Sequence, residues 1–287
     1  MKKLFFFTLY LTSVILYASP TSCQGIYFNN IAPDIENQKF MQHTQEICYT
    51  QFALMHSGVS RTALWSAEHL TRSMLQTKAK REDDFHPDEH LSIQDRSELS
   101  DYLHSGYDRG HLSPSGDFDR KESNQECFTL ANMIPQNHEN NSGIWSDIEN
   151  TTRYLARKTG EIYIVTGPIF PATHPNKIAN RVYIPSKIFK AIYIPSTGEG
   201  AAYITDNSAD SSYEVISIQN LEKLSGINVF PQMSQAAKMH AYRLPTPQST
   251  YHGQRQTHQA YYHTDREDEN GILAKLNRKV RNYFKGY

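Results

Sequence analysis

Tyr107-Asp108-Arg109-Gly110-His111-Leu112-Ser113-Pro114 sets an acid, a guanidinium, a glycine and an imidazole side by side at positions 108 to 111. On a strand, side chains alternate, so Arg109 and His111 fall on one face. That face carries a permanent cation beside a group that can take a proton near neutral pH. Phosphodiester hydrolysis uses both, a charge to hold the phosphate and a base to activate water. Gly110 removes the side chain between them and lets a substrate backbone or a second strand come close. Taken alone, the four residues also read as a strand end with a surface salt bridge and a solvated histidine.

Downstream, Phe128 to Ile134 is expected as a strand stopped by Pro135. From Asn141 the period becomes helical: Ile144, Ile148, Thr152 and Leu155 recur at spacings of three and four. Asn141, Trp145, Glu149 and Arg153 follow at i, i+4 and form a second stripe beside the apolar one. An amide, a carboxylate and a guanidinium thus share one helix edge. The plainer reading is a polar face with a Glu149–Arg153 pair contributing about 0.3–0.5 kcal/mol. Gly160 is placed to end the helix.

Upstream, Arg61 to Thr71 reads as a strand entering the core. Residues 76 to 100 mix charges of both signs with Pro87 and read as an exposed loop, from which Arg81 could reach a phosphate. Residues 119 to 126 suit a short helix. Beyond Gly160, strands are expected at Ile162–Thr166, Val182–Pro185, Ile188–Ile194 and Ala201–Thr205. Closely spaced strands with turns between them imply an antiparallel sheet. Val215 to Ile218 then leads into a helix from Gln219 to Leu224, capped by Gly226.

The chain has 287 residues and a formal net charge of -1, so a nucleic-acid site must be a local patch rather than a global basic field. Residues 1–18, MKKLFFFTLYLTSVILYA, have a lysine n-region and an apolar stretch too short to span a bilayer comfortably, and read as a signal peptide. The expectation is a mature protein without a membrane segment, exported to the periplasm or secreted. Export gives cysteines meaning. Of Cys23, Cys48 and Cys127, the first two share the short N-terminal segment and are the expected disulfide, with Cys127 buried and free. No C-x-x-C pair points to structural zinc. The expected division is a signal peptide (1–18), an N-terminal segment (19–57), a catalytic domain (58–235) and a polar extension (236–287). The extension holds His252, His258 and His263, an alternative zinc-hydrolase site, and a basic tail from Gly271.

Taken together, D-R-G-H at 108–111, N-x-x-P-Q at 132–136, N-x-G-x-W at 141–145 and E-x-x-x-R at 149–153 resemble the DNA/RNA non-specific endonuclease family, which are ββα-metal nucleases. Thr166-Gly167-Pro168 also looks like the family's segment after its catalytic helix. The resemblance covers roughly residues 58 to 232 and implies an α+β fold, a mainly antiparallel central sheet flanked by helices. It further implies roles for individual residues. His111 would be the general base and Asn141 the direct ligand of a hydrated Mg²⁺, with Mn²⁺ as a substitute. Glu149 would hold metal-bound waters, and Arg109 and Arg153 would engage phosphate oxygens. Asn132 would orient the site, and Arg81 would be a further phosphate contact. The substrates would be DNA and RNA, recognised through the backbone, and the products would carry a 5′-phosphate. The competing reading is a nucleic-acid-binding protein that keeps the scaffold without catalysis. Mere binding, however, does not require a base such as His111.

Overall fold

The computed structural model describes residues 21–37, 41–77, 79–171 and 173–248, and the backbone of 261 and 262. The stretch expected as a signal peptide, the histidines at 252, 258 and 263, and the basic tail lie outside these residues.

Long β-branched and aromatic runs build the centre of the molecule. They form β1 (Thr44–Cys48), β2 (Phe52–Ser57) and β3 (Thr62–Thr71) before the D-R-G-H stretch. After the D-R-G-H region come β6 (Glu161–Ile169), β7 (Lys187–Ile194), β8 (Glu199–Asp206) and β9 (Tyr213–Ile216). With β10 (Tyr261–Tyr262) they make one eight-stranded sheet, ordered β10-β9-β8-β7-β6-β3-β2-β1. Its pairings are antiparallel except β9 with β10. Residues 44–57, expected to stand apart from a domain starting at 58, are thus two strands of the same sheet. Their alternation is weak in sequence, and it is pairing with β3 that recruits them.

Between β3 and β6 the chain leaves the sheet and builds a separate unit. The D-R-G-H stretch is β4 (Asp108–His111), paired antiparallel with β5 (Met133–Gln136). The strand expected over 128–134 is therefore shifted. Leu130–Asn132 form a 3₁₀ turn capped by the Thr129 side chain, and Pro135 sits inside β5 opposite Arg109. Both strands of a two-stranded ribbon are edges, where proline is tolerated. Between them lies α1 (Lys121–Glu126), as expected.

Helical structure begins before Asn141, at His138, where the Asn137 side chain caps the first turn. It passes through a π-turn over Asn141–Trp145, with Gly143 off helical geometry, into α2 (Ser146–Thr159). Gly160, at φ 101°, ends it. Lysine and arginine in the last turn and Asp147 and Glu149 in the first suit the helix dipole.

The sheet has two covered faces. One packs Ile162, Ile164 and Ile192 against Ile148, Leu155 and Trp145 of the helical unit and against Leu112. The other packs Trp65, Val165 and Phe189 against Tyr27, Phe230 and α3 (Ile218–Ser225). Ser217 caps α3 at its start and Gly226, at φ 70°, at its end. The loop of residues 76–100 is less exposed than its charges imply. Leu91 enters the core, and buried Asp88 accepts hydrogen bonds from Tyr49 and Thr129. Part of the extension also packs on the sheet: Leu244 is buried and Tyr203 donates to the Pro245 carbonyl.

Cys23 and Cys48 are joined, with their Cα atoms 5.2 Å apart, and Cys127 is buried and free. The bond ties the segment under the sheet to the β1 edge. Replacing both cysteines by serine is expected to lower stability by about 3 kcal/mol, from the lost restriction on the unfolded chain. Urea denaturation of the double variant checks this, and an unchanged midpoint would contradict it.

Candidate active site

The β4–β5 ribbon and the π-turn meet at a cleft of about 520 Å³ whose walls include Arg81, Arg109, His111, Asn141 and Glu149. Gly110 is explained by what lies over it. A β-carbon there would sit 1.9 Å from Oε1 of Gln136, so the missing side chain admits Gln136 rather than substrate. Gln136 in turn donates to Oδ1 of Asn140, which anchors the helical unit to Thr205, Asp206 and Ser211. Glycine and glutamine in the two motifs are thus one packing feature.

His111 is almost fully buried, edge-on to Phe128 with ring centres 5.0 Å apart and tilted against Phe85 at 5.8 Å. Its Nε2 makes no hydrogen bond to protein. Burial pushes its pKa down to about 3, helped by the Arg81 guanidinium and opposed by Asp83. The imidazole is therefore neutral across the ordinary pH range, as a base must be. Arg109 lies on the same face of β4, its guanidinium carbon 4.2 Å from the centre of the Phe85 ring. Arg81 is half-exposed, held by Asp83 at 2.7 Å and by Ser115 at 3.1 Å.

Asn141 donates its amide nitrogen to Oδ2 of Asp108 at 2.9 Å. That fixes the amide and leaves Oδ1, its acceptor, for a cation. Asp108 also meets Nδ1 of His138 at 3.0 Å. Glu149 is partly buried on the cleft wall, and burial pushes its carboxyl up to about 7. Arg153, Lys190 and Arg81 oppose that shift, and Asp117 adds to it.

Two expected site residues lie behind the wall. Asn132 is fully buried; its side chain accepts from the Ser113 amide and donates to the Ser113 and Cys127 carbonyls. It holds the chain directly after His111. Arg153 does not present its guanidinium to the cleft. Nη1 binds Asp117 at 2.6 Å and Nη2 binds Asn150 at 2.8 Å, with Asp117 only 1% exposed. Helical spacing placed Arg153 beside Glu149, but the turn after β4 supplies a closer acid. Asp108 and Asp117 are positioning groups that sequence reading passed over, though Asp108 stands inside the quoted tetrapeptide.

The oxygen-only donors here, Asn141 and Glu149, suit a hard cation such as Mg²⁺ rather than zinc or copper. Among the described residues, one group of three or more His, Cys, Asp or Glu is close enough to share an ion, namely Cys23, Glu46 and Cys48. Its sulfurs are already joined to each other.

The model of the DNA/RNA non-specific endonuclease family matches residues 31–236. The chain belongs to this family. The mitochondrial Nuclease EXOG of Danio rerio is 39% identical over 125 residues, covering 42% of this chain and 36% of its own length. Human EXOG is 35% identical over 129 residues, 44% of this chain and 35% of its own length. A protein named Nuclease from Nostoc sp. is 41% identical over 120 residues, 41% of this chain and 43% of its own. The chain thus spans less than half the length of these curated relatives. Among solved structures, a chain of the EndoG/EndoGI complex superposes with a TM-score of 0.61 at 25% identity, covering 67% of this chain and 88% of that one. The endonuclease fold expected from the motifs is the fold found.

Proposed function

We propose that the chain is an exported, metal-dependent endonuclease that hydrolyses phosphodiester bonds of DNA and RNA and leaves 5′-phosphate ends. The observation that carries this reading is a neutral His111 in the same cleft as Arg109 and as Asn141, whose amide Asp108 orients. A base without a cation nearby, or a cation without a base, would serve binding alone.

In this reading His111 takes a proton from water as the water oxygen attacks phosphorus, and the bond to the 3′ oxygen breaks as that oxygen takes a proton from solvent. Arg109, and Arg81 in the same cleft, neutralise the phosphate. Asn141 would hold Mg²⁺, or Mn²⁺ in its place, with Glu149 accepting hydrogen bonds from surrounding waters. A bound ion there supplies charge stabilisation on the phosphate and the leaving oxygen. Contacts to phosphate rather than base edges give little sequence preference and admit both DNA and RNA. The Cys23–Cys48 bond supports export, since disulfides persist in oxidising compartments.

The test is incubation of the purified exported chain with circular plasmid and with RNA, in Mg²⁺ and in EDTA. Both substrates are expected to be cut in Mg²⁺ only, with 5′-phosphate ends, and N-terminal sequencing is expected to begin after Ala18. A folded chain that binds DNA but cuts neither substrate would sink the catalytic reading.

A further inference from the structure

A row of polar side chains crosses the middle of the sheet on the face beneath α2. Ser66, Thr166 and Lys190 stand in register on β3, β6 and β7. All three are fully buried, and the remainder of β7 from Ile188 on is apolar or aromatic. Taking an ammonium out of water costs roughly several kcal/mol unless it is paired and bonded, so its surroundings call for explanation.

The row is where the catalytic unit docks. The Lys190 ammonium donates to Oγ1 of Thr166 at 2.7 Å and to the Leu112 carbonyl at 3.3 Å. It also lies 5.5 Å from the centre of the Trp145 ring, within reach of a cation–π attraction. Oγ of Ser66 meets Oγ of Ser113 at 2.8 Å. Leu112 and Ser113 follow His111 directly, and Trp145 closes the π-turn that Asn141 opens. One buried cation therefore touches both segments that bring the reacting groups together.

Glu68 lies two residues beyond Ser66 on β3, on the same face and 1% exposed, and neither of its oxygens accepts a hydrogen bond from protein. Lys190 and Arg153 act on it as cations, Asp117 and Glu149 as acids. Burial drives its carboxyl well above the usual carboxylate range, Asp117 adds to this, and Lys190 opposes it.

We propose that Lys190 is a positioning residue for the hydrolysis, fixing Leu112 and Trp145 on the sheet so that His111 keeps its place in the cleft. This rests on the nuclease reading above. It gives the buried lysine a task that packing alone does not require, because a methionine would fill the same volume.

The test compares the wild type with Lys190→Met, Glu68→Gln and the double variant in steady-state cleavage and thermal melting. Misplacing a base by about 1 Å can cost about 100-fold, and that loss in kcat, with KM little changed, is expected for Lys190→Met. Glu68→Gln replaces a buried carboxyl whose oxygens accept no hydrogen bond from protein and is expected to leave kcat within threefold of wild type. The double variant is expected to lose kcat as Lys190→Met does. A kcat near that of wild type in the double variant would overturn the proposal. So would Lys190→Met within threefold of wild type. Should Lys190→Met fail to fold alone, the double variant is the one compared with wild type. If neither folds, Thr166→Val, which keeps the lysine and removes one ammonium bond, decides by the same loss of kcat without loss of stability. An inactive wild type would instead sink the nuclease reading.

Discussion

His111→Ala is expected to lower kcat on plasmid and RNA by about 10²–10⁴-fold, the usual share of a general base. The chain should remain folded at the assay temperature, because Nε2 has no protein hydrogen-bond partner and its removal orphans none. The variant also has a signature in stability. The pKa of His111 is about 3 in the folded protein and ordinary, near 6.5, in the unfolded chain. The unfolded chain therefore takes up the proton first, and wild-type stability is full above pH 6.5 and falls as pH drops below it. Linkage gives a loss of about 2 kcal/mol by pH 5, which the alanine variant does not suffer. Chemical denaturation at pH 8 and pH 5 measures it. The variant should lose less stability than wild type over that interval. Equal losses would mean that His111 is not the buried neutral group described, and unchanged kcat would place the chemistry elsewhere. The same pKa implies that protonation of His111 does not set the acid side of the activity profile near neutrality.

The reading of Arg109 and His111 as neighbours on one face needed only strand alternation, and the structure places them so. Gln136 over Gly110 was not legible, because nothing local says which residue on the partner strand covers a bare position. The helix after Asn141 was visible as a 3.6 period, whereas its start at His138 depends on capping by Asn137, and the π-turn depends on Gly143 leaving helical geometry. Arg153 was read from its own helix alone, and its partner Asp117 lies 36 residues away across a turn. Lys190 was legible as part of a strand, but its charge acquired meaning only once β3, β6 and β7 were in register. Motif spacing therefore locates the groups facing the cleft. The groups behind it come from long-range pairing that no window of sequence contains.

Glu149→Gln is expected to trade activity for stability, in a pH-dependent way. Glu149 is pushed up to about 7 in the folded protein by burial, against 4.5 for an ordinary glutamate. The unfolded chain thus loses its proton first. Wild-type stability is full below pH 4.5 and falls as pH rises toward 7 and beyond, by up to about 3 kcal/mol. Glutamine keeps the shape and carries no charge to bury. The variant should match wild type near pH 4 and exceed it by a few degrees or more in melting temperature at pH 8. Cleavage should meanwhile fall by about two orders of magnitude or more, since a neutral amide holds metal-bound water less firmly than a carboxylate. Mg²⁺ adds a third readout. A cation that favours ionised Glu149 stabilises the folded wild type by mass action and should do less for the glutamine variant. Melting curves at pH 4 and pH 8, with and without Mg²⁺, separate these effects. A variant no more stable than wild type at pH 8 would show that Glu149 bears no burial cost there. A Mg²⁺ response equal in both proteins would detach Glu149 from the ion. The expected combination, stability gained and turnover lost from one oxygen-to-nitrogen exchange, is how strain kept for function differs from strain left by poor packing.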